Sequence, residues 1–184
     1  PYWGSPSYMR EAVTSVRAQT SPHWRLTVID DAYPDREIGE WLADLADDRI
    51  HYLRKPENKG IIANFRSCLQ AASQPLMTMM GADDRLLPNY VADVVAASAA
   101  HPEAAIIQPG VRVIDEVGRQ REGLVELVKQ RLVQPKTDGI TPLRGEPLAR
   151  SLLRGNWLYW PSLTFHTSAI KQFDFSDHYP IMLD

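Results

Sequence analysis

The chain has 184 residues, 20 basic and 23 acidic side chains and a formal net charge of −3. One domain of this length buries roughly 70% of its unfolded surface and needs no disulfide or metal staple, and a composition 44% apolar and 23% charged excludes disorder and collagen-like repeats. No apolar run nears the ~18 residues of a membrane span, a pI near 6.0 argues against a dedicated nucleic-acid partner, and the lone Cys68 excludes an internal disulfide and a multi-cysteine metal site.

The ends carry an expectation of their own. The chain starts at Pro1 rather than at Met and stops at Asp184 directly after the apolar run Ile181-Met182-Leu183. Neither reads as a natural terminus, and no signal-peptide pattern is present. The expectation is a domain cut at both ends.

Ser5 suits a helix N-cap and Pro6 a first turn; Tyr8, Met9, Ala12, Val13 and Val16 then recur at helical spacing to about Gln19. Trp24 to Ile29 reads as a strand ending at Asp30-Asp31. Arg36 to Ala46 predicts a helix with Ile38, Trp41, Leu42 and Leu45 as its apolar stripe. Ile50 to Leu53 is a short strand, Pro56 to Gly60 a loop, and Ile61 to Ala72 a helix. Leu76 to Met80 is apolar without alternation, as a strand covered on both faces would be, and runs into Gly81-Ala82-Asp83-Asp84. Pro88 opens a helix to about Ala100, and Ala104 to Ile114 is a longer strand interrupted at Pro109-Gly110. Beyond Asp115 the pattern weakens: a helix over Leu124–Leu132, a loop from Pro135 to Pro142, a short helix over Pro147–Leu153, a strand over Tyr159–His166, and no period from Phe173 to Tyr179.

Helix and strand therefore alternate over the first 114 residues. The expected class is α/β, a mostly parallel sheet with helices on both faces, and a strand is expected to precede Pro1. The whole chain, 1–184, reads as a single domain.

In an open α/β sheet ligands bind beyond the carboxyl ends of the strands. Two such ends carry adjacent carboxylates, Asp30-Asp31 and Asp83-Asp84. Four carboxylates at one rim repel one another unless something cationic or hydrogen-bonding joins them, and Mg²⁺ or Mn²⁺ is the natural partner of carboxylate oxygens. Such an ion would in turn hold a diphosphate. The competing reading is structural, because aspartates after strands also cap helices and make turns. The five histidines lack metal-ligand spacing, and there is no Walker A loop, GxGxxG or GxSxG. Trp157, Tyr159 and Trp160 cluster beside Pro161; core packing is their ordinary role, and stacking of an acceptor sugar is the functional alternative.

The segments PYWGSPSYMREAVTSVRAQT, LTVIDDAYPD, PENKGIIANFRSCLQAA and LMTMMGADDRLLPNYV, in this order and spacing from Pro1 to about Val91, resemble family 2 glycosyltransferases of the GT-A fold. VIDD resembles the family's VDD-G-S motif, Asn58-Lys59-Gly60 its N-x-G loop and GADD its D-x-D-type motif. The resemblance implies a nucleotide-sugar-binding half over 1–114 and an acceptor-side half over 115–184. It implies that Asp31 binds the base, that Tyr2 lies near base or ribose, that Asn58 and Gly60 belong to the nucleotide loop, and that Asp83 faces the ribose or diphosphate. It makes Asp84 the ligand of a Mn²⁺ or Mg²⁺ cofactor. GNWLYWPSLTFHTSAI looks like the acceptor-side segment, with Trp157, Trp160 and Ser162 as acceptor residues, and Asp184 stands where the family's catalytic base is found.

Two departures matter: Gly81 replaces the first aspartate of DADD, and Ala32-Tyr33-Pro34 replaces the Gly-Ser after VDD. The implied activity is a metal-dependent inverting transfer from a nucleotide-diphosphate sugar, a UDP-sugar first, to a saccharide, lipid-linked or other hydroxyl acceptor, serving polysaccharide or glycoconjugate synthesis. The expected place is the cytoplasm, at the inner membrane face if segments outside the chain bring it there. The alternatives are a sugar-phosphate nucleotidyltransferase, whose basic Gly-rich loop is poorly matched by PYWGSPSYMR here, and a Mg²⁺-binding receiver domain, whose strand-end lysine is not found.

Overall fold

In the computed structural model, residues 1–121, 139–173 and 175 are described. The expected helix over Leu124–Leu132, most of the stretch after Phe173, and Asp184 lie outside them.

The first two strands form a parallel pair, β1 (Leu26–Asp30) beside β2 (Ile50–Arg54), in a register that sets Leu26 opposite Ile50 and Asp30 opposite Arg54. Tyr2 continues this pairing on the other edge of β1: its N–H donates to the Ile29 carbonyl at 2.8 Å and its carbonyl accepts from the Asp31 N–H at 3.1 Å. Helices α1 (Pro6–Arg17) and α2 (Glu37–Asp44) cover one face. Met9, Ala12 and Val13 of α1, Ile38 and Leu42 of α2, Val28 of β1 and Tyr2 form one buried cluster there. Ile29, next to Val28, points to the opposite face as strand alternation requires. That face packs against α3 (Gly60–Ala71), whose Phe65 and Leu69 are buried and whose Asn64 amide donates to the Ile29 carbonyl at 3.0 Å.

The second half departs from an all-parallel sheet. Strand β3 (Leu76–Thr78) is followed by α4 (Tyr90–Ala100) and β4 (Ile106–Ile107). After α5 (Gly145–Arg154) and a 3₁₀ turn over Trp160–Ser162, β5 (Thr164–His166) inserts between β3 and β4, antiparallel to both, and leads into α6 (Thr167–Ile170). Hydropathy alone does not carry strand direction, so the sequence could not show this reversal. The expected long strand from Ala104 shrinks to Ile106–Ile107, because Pro109 offers no N–H to a ladder. Tyr90 of α4 locks the three-stranded sheet: its hydroxyl lies 2.8 Å from Thr164 Oγ1 and donates to the Ser162 carbonyl at 3.1 Å.

Between β1 and β3, which are not paired to each other, lies a cavity of about 160 Å³. Val28 of β1 and Met77 of β3 line it, with Val13 and Val16 of α1, Ala71 of α3 and Pro1.

Candidate active site

The carboxyl end of β1 carries Asp30 and Asp31, both buried, 0% and 2% exposed. Asp30 is wholly spent inside the fold. One oxygen accepts the Tyr33 N–H at 2.7 Å; the other accepts Arg54 at 2.7 Å and the Tyr52 hydroxyl. The Arg54 guanidinium also donates to the Tyr33 carbonyl at 2.6 Å, which fixes the loop after β1. Burial, followed by the bond to Asp30, pushes the Tyr52 hydroxyl above its ordinary pKa.

Asp31 follows the same logic one step on. Its Oδ2 accepts the backbone N–H groups of Lys59 at 3.1 Å and Gly60 at 2.8 Å, so it caps α3 from across the sheet. Its Oδ1 stands 3.0 Å from the Lys55 ammonium. Asn58 shares the capping, accepting the Gly60 N–H at 3.0 Å. Gly60 enters the helix with φ +81°, a conformation that other residues adopt at a cost. Asp31 thus holds the loop Asn58-Lys59-Gly60 at the entry of α3.

The second acid pair is different. Gly81 to Asp84 form a turn beyond β3, with Asp83 exposed and Asp84 half-buried. Asp84 Oδ2 accepts the Gly81 N–H at 3.1 Å. A Cβ on Gly81 would stand 2.9 Å from Asp83 Oδ1 and closer still to Asp84 Oδ2, so oxygens of both carboxylates converge over the bare Cα. Burial, and then the charge of Asp83, raise the Asp84 pKa above its ordinary value. Among the described residues no cationic side chain pairs with either; neighbouring Arg85 turns away to Glu11 on α1. At the first pair the expected repulsion is met by cationic and hydrogen-bonding partners. Arg54 and Lys55 neutralise the first pair, whereas Asp83 and Asp84 have no cationic partner among the described residues.

Both ends meet across Tyr2: Asp31 is hydrogen-bonded to its backbone, and Met80 and Ala82 pack against the buried cluster that holds its ring. Tyr2 itself is 1% exposed, and burial drives its hydroxyl far above the ordinary pKa. Its side chain lies under the rim, with its ring in the buried cluster. The aromatic on the rim is the next residue, Trp3, 51% exposed and edge-on to Tyr33 with ring centroids 5.4 Å apart. Sequence reasoning missed Trp3; the signal was the alternation that buries Tyr2 and turns its neighbour outward.

The acceptor candidates sit in packing positions. Trp157 is buried, with its indole N–H donated to Ser151 Oγ at 3.2 Å. Trp160 stacks on Phe65 at 6.0 Å and contacts Phe165 and Phe175. The Ser162 hydroxyl donates to the Tyr159 carbonyl at 2.8 Å.

A divalent cation fits the Gly81–Asp84 turn in part. Two oxygens converge there without a counter-charge, whereas among the described residues no group of three or more acidic, histidine or cysteine side chains could hold an ion unaided. A cation here would need further ligands from its substrate, as a diphosphate supplies.

Helices packed on both sides of β1, with acid pairs beyond two strand ends, define the class of fold as α/β. More narrowly, the chain belongs to glycosyl transferase family 2, whose profile matches residues 1–161. An uncharacterized glycosyltransferase of Rickettsia felis is 27% identical over 176 residues, 92% of this chain and 27% of that protein. The crystal structure of S. aureus TarS 1–349 in complex with UDP matches with a TM-score of 0.59 at 15% identity, over 94% of this chain and 46% of that one. The mannosyltransferase PcManGT from Pyrobaculum calidifontis, solved with GDP-Man and Mn²⁺, matches with a TM-score of 0.55 at 18% identity, over 61% of this chain and 34% of that one. These likenesses establish the GT-A-type fold. The chain spans 12% to 40% of the length of the first three curated relatives it matches.

Proposed function

We propose that this domain binds a nucleotide-diphosphate sugar, a UDP-sugar first, at the rim between Asp31 and Asp84, with Mn²⁺ or Mg²⁺ on Asp83 and Asp84, and transfers the sugar with inversion to an acceptor hydroxyl. The observation that carries this reading is the Asp83–Asp84 pair, converging over Gly81 with no cationic partner among the described residues while the acids of β1 are neutralised. Two structural neighbours were solved with UDP and with GDP-Man and Mn²⁺, which supports a nucleotide sugar and a divalent cation as the ligands here.

A bound cation supplies neutralisation of the leaving diphosphate. The chain's own residues do the rest. Asp84, with its oxygen held by the Gly81 N–H, and Asp83 fix where the diphosphate sits. Trp3 offers an exposed face to the base, braced by Tyr33, which the Asp30–Arg54 network holds in place. Asp184 takes the proton of the acceptor hydroxyl as it attacks the anomeric carbon from the face opposite the leaving group, a contribution of roughly 10²–10⁴-fold. The acceptor is a saccharide, lipid-linked or other hydroxyl, with Trp157, Trp160 and Ser162 shaping its side through packing. Among the described residues no helix is long and apolar enough to cross a membrane.

A thermal-shift panel of UDP, GDP, CDP and ADP with and without Mn²⁺ tests this. Stabilisation by a nucleotide only when Mn²⁺ is present is the expected result; a ligand at 100 Kd contributes about 2.7 kcal/mol. Indifference to every nucleotide in the presence of Mn²⁺ would overturn the reading.

A further inference from the structure

The Asp31–Lys55 pair is close without being satisfied. Lys55 Nζ and Asp31 Oδ1 are 3.0 Å apart, yet they are not aligned as a hydrogen bond, and both atoms are buried with no other hydrogen-bond partner. The rest of the carboxylate is committed, because Oδ2 is held by two backbone N–H groups of the α3 entry. A fixed acceptor, ion-paired but with no hydrogen bond on Oδ1, therefore stands beside a donor on a long flexible stem, at the strand end where the nucleotide is proposed to sit. Buried groups of this kind cost free energy when left unpaired, and they reject ligands that fail to pair them.

We propose that Lys55 is a specificity-determining residue for the nucleobase, and that the Asp31–Lys55 pair selects a ring edge presenting an N–H next to a C=O. This inference rests on the nucleotide-sugar reading above and deepens it. Uracil presents such an edge at N3–H and O4, and guanine at N1–H and O6. Cytosine and adenine present the reverse polarity, a bare ring nitrogen beside an amino group, which sets acceptor against acceptor and donor against donor. Asp31 alone favours the N–H; Lys55 adds the reading of the neighbouring oxygen and so widens the discrimination.

The test is a comparison of dissociation constants within two matched pairs, UDP against CDP and GDP against ADP, each with Mn²⁺, on the full chain and on Lys55→Met. The wild-type chain is expected to prefer UDP over CDP or GDP over ADP by tenfold or more, and Lys55→Met to lose about tenfold of that ratio. Lys55→Arg, which keeps a cationic donor, is expected to restore part of it. If Lys55→Met does not fold, Lys55→Gln, a neutral donor, is measured in its place, with the ratio again expected to fall. A wild-type preference for CDP or ADP overturns the proposal. So does an unchanged ratio in the variant, including the case where all four affinities fall together, which is what a purely structural lysine would give. A wild-type chain that binds none of the four overturns the nucleotide-sugar reading itself, and this inference with it.

Discussion

Asp31 and Lys55 occupy the same step beyond the parallel β1–β2 pair, one residue past the paired Asp30 and Arg54, and their charged groups stand 3.0 Å apart. Two acids at the end of one strand are thus met by two bases at the end of its neighbour. Removing one member of a buried ion pair leaves the other uncompensated, which costs about 3–5 kcal/mol, whereas replacing both by apolar groups is often neutral. Asp31→Leu should therefore destabilise the chain by about 3 kcal/mol, because it also strips the cap from α3. Combining it with Lys55→Met should recover at least about 1 kcal/mol relative to additivity. Urea unfolding of the two single variants and the double variant measures this; additive losses would show that the charges do not interact.

Asp84 behaves in the opposite sense. Burial and the charge of Asp83 raise its pKa, so the fold favours the protonated form. That stabilising contribution is complete below the ordinary carboxylate value and is lost as pH rises through the raised one. At pH 7 without metal, Asp84→Asn should therefore melt higher than the wild type, on the order of 2 °C for a domain of this size. The difference should close as the pH falls toward 4. Melting curves across pH 4 to 8 check the sign; a variant less stable at pH 7 would contradict the strained-acid account.

Ala32 follows Asp31 with φ +61°, in the left-handed region that costs a residue with a side chain about 1–2 kcal/mol. Glycine escapes that cost but gives up about 0.5–1 kcal/mol to the freedom of the unfolded chain. Ala32→Gly is expected to raise stability by about 0.5 kcal/mol, and Gly60→Ala, at φ +81°, to lower it by about 1 kcal/mol. Chemical denaturation of both variants decides this, and a loss in Ala32→Gly would count against it.

The cavity between β1 and β3 is lined by Leu26 and Val28 of one strand and by Leu76 and Met77 of the other. Tyr2 already pairs with Asp30 in the parallel sense, so residues placed ahead of Pro1 would continue past Val28 to Leu26. Five appended residues, Val-Ser-Val-Ile-Val, should raise the melting temperature by about 5 °C through buried apolar area. A Gly-Ser extension of equal length should not. Equal effects of the two extensions would refute this account of the cavity.

Helix and strand identity was legible in the sequence wherever an apolar stripe was long, as in Met9 to Val16 and Ile38 to Leu45, and both acid pairs were visible as strand ends. Their difference was not. It depends on the register that sets Arg54-Lys55 beside Asp30-Asp31, and register between strands 24 residues apart is not written in either strand alone. The same limit hid the antiparallel course of β5 and the burial of Tyr2 beside an exposed Trp3. Each follows from which side of a strand faces which neighbour, a tertiary fact.

The central claim is that Asp83 and Asp84 hold a divalent cation together with a nucleotide. Its most direct test follows free Mn²⁺ by electron paramagnetic resonance while UDP is titrated in, with the wild-type chain and with Asp84→Ala. The account predicts that protein and UDP together remove Mn²⁺ from solution beyond what UDP alone removes, and that Asp84→Ala, though folded, weakens this at least tenfold. Equal Mn²⁺ uptake by the wild type and Asp84→Ala in the presence of UDP would contradict it.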